Sequence, residues 1–189
     1  MMKKFLPALF AFSIVASAAN AETQGHYVGL NLVNTYQKGY QESSDSDNNS
    51  WGITYGYAFN FDRLFIAPEI FYDHNDSENN NHDVYKFEYD YSYGIKANLG
   101  YDITDDLAGY VSLGHAEIRN QTTAAPLRGR GSNEYLIVGF GGRYSINDSF
   151  DLSASFELGK LGKSDDIFNS TDGANSFIRV TKFGLIYNF

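Results

Sequence analysis

Four histidines, His26, His74, His82 and His115, are the first residues to test for chemistry. A hydrolytic site needs a nucleophile, a base and an orienting acid within hydrogen-bond reach. His115 and Glu117 stand two apart, so on a strand they share a face and could act as base and orienter. No serine occupies the neighbouring position on that face, so no catalytic residue is expected. His74 and His82 flank "NDSENNN" together with Asp73, Asp76, Glu78 and Asp83. These are ligand types for a divalent cation, but the stretch lacks the glycine turn and the spacing of a calcium loop. A solvated acidic loop, with no metal and no cofactor, is the expectation.

A third group is cationic. Arg119, Arg128 and Arg130 fall in and beside "NQTTAAPLRGRGSN", which reads as a long polar loop. Guanidinium groups there could contact an anion, either lipopolysaccharide phosphates or a sulfated or acidic host surface. The competing reading pairs them with acidic neighbours: Glu42, Asp45 and Asp47 in one segment, Asp165, Asp166 and Asp172 in another. A fourth group, Glu69, Lys96, Arg143 and Glu157, is scattered along the chain and gains meaning only from the elements that carry it.

Those elements are strands. "WGITYGYAFN" sets Trp51, Ile53, Tyr55, Tyr57 and Phe59 against Gly52, Thr54, Gly56 and Ala58. The same period of two runs through 27–36, 64–73, "GIKANLGY", 109–118, "LIVGFGGRY", "DLSASFEL" and "KFGLIYNF". That makes eight strands. Pro68 removes a ladder donor and predicts a bulge or a locally weak pairing. Short links "NFDR", "DITDD" and "SINDS" alternate with long polar ones, the plan of an up-and-down barrel.

The two ends of the chain bear on its location. "MMKKFLPALFAFSIVASAANA" has a basic start, a short apolar run and an A-x-A site, which reads as a signal peptide over residues 1–21. The remaining 22–189 would be one exported domain. The chain has no Cys, and loss of Lys3 and Lys4 takes its formal charge from -9 to -11. That balance argues against nucleic-acid binding. Residues after the signal contain no apolar run of ~20, the length of a helical span.

Three features turn the apolar face outward, toward lipid. The other face is small and glycine-rich, and it carries the charges Glu69, Lys96, Arg143 and Glu157, which can pair inside a narrow lumen. Aromatic residues gather beside the short turns: Tyr57, Phe59, Phe65, Tyr101, Tyr144, Phe150, Tyr187 and Phe189. The signal peptide agrees. The fold class is therefore all-β, an eight-stranded antiparallel up-and-down transmembrane β-barrel.

"LGYDITDDLAGYVSLG", "APEIFYDH" and "GFGGRYSINDSFDLSASFEL" resemble the transmembrane domain of the OmpA family and its small opacity-type relatives. The resemblance covers about Tyr27 to Phe189. It implies a polar, plugged interior with Glu69 turned inward. Arg143 stands where the best-known members have an acid, and Ser112 and Ser155 where they have Arg, which implies different interior wiring. "FGLIYNF", ending at Phe189, resembles the signal read by the outer-membrane assembly machinery. No cell-wall-binding domain is implied.

The functional expectation is a monomeric protein of the bacterial outer membrane, in contact with its lipid and lipopolysaccharide. Four long loops would meet a host or surface ligand, as in adhesion. A narrow porin-like channel for small solutes is the second reading, and a lipid-modifying enzyme the third.

Overall fold

The computed structural model describes residues 25–38, 46–79, 85–124, 127–161 and 177–189. The signal-peptide region lies outside them. Eight strands follow one another: β1 (Gly25–Lys38), β2 (Ser46–Phe61), β3 (Leu64–Asn79), β4 (Tyr85–Asp102), β5 (Leu107–Ala124), β6 (Leu127–Asn147), β7 (Phe150–Leu161) and β8 (Phe177–Asn188). Each pairs antiparallel with the next, and β8 pairs with β1 to close the barrel.

Register fixes the barrel's shape. Cross-strand partners lead from Tyr27 through Gly56, Glu69, Lys96, Gly114, Ile137, Gly159 and Ile178 back to Gln37, ten residues up the same strand. Such a stagger goes with strands tilted by about 35–45° and an interior that side chains can fill. Closure leaves no edge strand to template aggregation.

Alternation sorts the side chains as the sequence predicts. Leu30, Ile53, Ile70, Leu99, Val111 and Phe140 stand on the outer wall, where Phe140 is 61% exposed. Tyr27, Glu69, Lys96, Tyr110, Arg143 and Lys182 point inward and are buried. An apolar band outside and charges inside is the membrane arrangement, inverted from a soluble barrel. One aromatic departs from the expected girdle. Phe65 is only 4% exposed, because its odd position on β3 shares the inward face with Glu69.

Three inward aromatics each cover the glycine directly across the ladder: Tyr27 over Gly56, Phe65 over Gly100, and Tyr110 over Gly141. A Cβ at any of the three glycines would overlap the ring. The missing side chain is thus what lets a large ring lie flat across the neighbouring strand.

The short turns are tight. Asp62 and Arg63 link β2 to β3, and Asp62 takes φ 61°, a left-handed conformation that Asp tolerates. Thr104 accepts from the Leu107 amide, and Asn147 from the Phe150 amide. At Pro68 the β2–β3 ladder is interrupted between Gly56↔Glu69 and Phe59↔Ile66 with no change of register, so the proline weakens pairing without a bulge.

The other end corrects the expected loop boundaries. "NQTTAAPLRGRGSN" is mostly strand: β5 runs to Ala124 and β6 begins at Leu127. β3 likewise continues to Asn79. A bilayer crossing needs ~9–11 strand residues, so these strands are longer than the crossing requires and project beyond the membrane.

Candidate functional site

The interior is layered. At the turn end, Tyr27, Ala58, Phe65, Ala67, Tyr110 and Ile186 form an apolar floor. Toward the other end, Val33, Phe71, Ala116, Ile118, Tyr135, Ile137, Ile178 and Val180 form a roof.

A ladder of six charges runs between them. Arg143 donates to Glu69 Oε1 at 2.9 Å, and the Tyr27 hydroxyl donates to the same oxygen at 2.6 Å. Lys96 lies 3.3 Å from Glu69 Oε2 and donates to Glu157 Oε1 at 2.5 Å. Lys182 lies 3.9 Å from Glu157 Oε2 and donates to Asp73 at 2.7 Å. Signs alternate along the ladder, three positive and three negative. Rings flank the cations: Arg143 stacks over Tyr27 at 4.3 Å and Lys182 over Phe71 at 4.2 Å.

Glu69, Lys96, Arg143 and Glu157 therefore meet in one network. Sequence reasoning missed the other two members, Asp73 and Lys182. Asp73 was assigned to an acidic loop, yet it sits within β3 and is 2% exposed. Lys182 shares parity with Gly184, a signal that places it inward. Ser155 stands directly across from Lys182, and Ser112 donates to Asn98 at 2.7 Å. The small serines leave the volume that lysine occupies.

The ladder fills the lumen. The cavity beside it, bordered by Tyr27, Asn31, Glu69, Lys96, Tyr110 and Arg143, is about 20 Å³. That is room for about one water.

The described histidines, His26, His74 and His115, lie outside. Asp73 and His74 occupy opposite faces of β3, so they cannot share an ion; His74 packs on Trp51 instead, 5.4 Å between ring centroids. The side chains of Asp76 and Glu78, and the whole of His82 and Asp83, lie outside the described residues. His115 lies 3.5 Å from Glu134 rather than on Glu117. Glu117 accepts from the Tyr93 hydroxyl at 2.5 Å and from Arg119 at 3.1 Å. His26 meets the Tyr55 hydroxyl at 2.7 Å.

Arg119 belongs to β5 and pairs with Ser132, so it is a wall residue, not a loop residue. Arg128 and Arg130 lie further out on β6, across from Thr123 and Gln121; their side chains lie outside the described residues. At the opposite end, the Phe189 amide donates to the His26 carbonyl at 3.0 Å, and its ring meets Tyr187 at 4.9 Å. It completes the β8–β1 seam.

A family model described as "Outer membrane protein beta-barrel domain" matches residues 5–189. The chain belongs to this family. It is an outer-membrane β-barrel protein of bacteria, and barrels of this kind carry short periplasmic turns and longer extracellular loops. No curated protein matches it. Among solved structures it is similar to Ail, the attachment invasion locus protein of Yersinia pestis, with TM-score 0.64 and 18% identity over 88% of this chain and 99% of that one. Ail in complex with the heparin analogue sucrose octasulfate gives TM-score 0.65 and 16% identity, with 88% and 99% covered. Neisserial surface protein A gives 0.64 and 18%, with 87% and 97% covered. At these identities the likeness is one of fold.

Proposed function

We propose that this barrel is a rigid outer-membrane mount for a binding surface at its extracellular end, with an adhesion-type role. Residues 1–21 serve as the signal peptide that exports it, and Phe189 as part of the signal for assembly. The observation that carries the reading is the filled lumen. A barrel with an apolar floor, a charge ladder and an apolar roof offers solutes no path, which leaves the projecting strands and their connections as the part free to act.

The ligand class proposed is a sulfated or otherwise acidic surface polymer. Arg128 and Arg130 on the β5–β6 hairpin are suited to it, since guanidinium groups pair with sulfate in forked geometry. The complex of the similarly folded Ail with a heparin analogue is consistent with that choice.

The test compares the refolded wild-type barrel with two variants on immobilised heparin and on cultured cells. One variant carries Arg128→Ala and Arg130→Ala; the other replaces 39–45, 80–84 and 162–176 with short Gly-Ser links. Loss of binding in either variant, with heat-stable folding retained, supports the reading. Equal binding by all three proteins would refute it.

A further inference from the structure

We propose that the periplasmic half of the outer wall holds a dedicated seat for one zwitterionic aminophospholipid of the inner leaflet. The seat is an apolar groove of about 440 Å³. Leu64, Leu99 and Tyr101 form one wall and Val111 the other, with Gly109 between them. Gly109 and its cross-strand partner Gly142 both face outward.

These two glycines differ from those inside the barrel. At Gly56, Gly100 and Gly141 a Cβ would collide with a ring, so glycine is obligatory. At Gly109 a Cβ would meet only Ile103 Cδ1 at 3.5 Å, and at Gly142 only the Ala108 carbonyl at 3.3 Å. Glycine weakens a strand interior. Internal packing therefore does not account for the open space at Gly109. The groove is continuous with the lipid-facing wall, so its occupant is an acyl chain.

Charge at the groove's mouth selects the headgroup. Asp62, Asp105, Asp106 and Asp148 are exposed at the turn end, and Asp102 is half-buried. Among the described residues, Arg63 is the single exposed Lys or Arg there, and it immediately precedes Leu64 of the groove wall. Its carbonyl accepts from the Asp102 amide at 2.8 Å, which sets the backbones of the cationic and the acidic residue side by side. One cation within an acidic rim complements a phosphate joined to an ammonium group. It disfavours a headgroup with negative charge alone.

Native mass spectrometry of the refolded barrel, released from vesicles of equal phosphatidylethanolamine and phosphatidylglycerol, tests this. The wild type should retain one phosphatidylethanolamine, about tenfold over phosphatidylglycerol, the scale of one selective charged contact. Gly109→Leu should abolish retention of either lipid by filling the groove. Arg63→Glu should abolish the preference. Ala154→Leu, on the lipid face outside the groove, should retain lipid as the wild type does, and shows that added bulk alone is harmless. Equal retention of both lipids by the wild type, or unchanged retention in Gly109→Leu, would overturn the proposal.

Discussion

Lys182 on β8 donates to Asp73 on β3 at 2.7 Å, across the lumen between strands three apart in the closed barrel. Both side chains are almost closed to solvent. The bond joins strands that are not neighbours, so it braces the barrel across its lumen as well as neutralising two charges. Through Glu157 and Lys96 it continues down to Glu69 and Arg143.

Breaking that brace on one side should cost more than removing it. Asp73→Ala leaves a buried ammonium, and a lost partner of a buried pair costs ~3–5 kcal/mol. Asp73→Leu with Lys182→Met removes both charges and should recover much of that. Urea unfolding of the refolded variants in lipid vesicles measures the cycle; strict additivity would show that the two residues are not coupled.

The ring-over-glycine pairs set a steric limit. Gly100→Val would collide with Phe65, and overpacking of this kind costs ~1–3 kcal/mol. Adding Phe65→Ala to Gly100→Val should restore part of the loss. The same urea measurement checks it, with no recovery as the contrary result.

The outer wall should respond to charge by depth. Phe140→Lys places an ammonium near mid-strand in lipid, at a cost of ~2–4 kcal/mol, whereas Tyr144→Lys, near the periplasmic rim, should cost ~0–1 kcal/mol. Equal effects at both positions would contradict the assignment of depth along the wall.

Much of this was legible in the sequence, for a physical reason. Within the bilayer every strand has one face in lipid and one in the lumen, so the period of two is enforced from Leu30 to Leu185. Glu69, Lys96, Arg143 and Glu157 follow from that parity alone. Asp73 and Arg119 were misassigned because they lie where β3 and β5 approach or leave the membrane, and there both faces can be polar. Phe65 was misplaced by its aromatic type, although its parity with Glu69 was the better guide. Partner choice within the ladder was not legible, since it depends on the stagger that brings Lys182 of β8 level with Asp73 of β3.

The central claim is that the lumen is filled and that the protein acts at its extracellular end. Single-channel recording of the purified barrel in planar bilayers tests it most directly. With a cavity of about 20 Å³ between floor and roof, no large, steady conductance is expected from the wild type. Steady unitary currents that disappear when Ser155, which borders that cavity, is replaced by a bulkier residue would contradict the account and establish an ion path through the barrel.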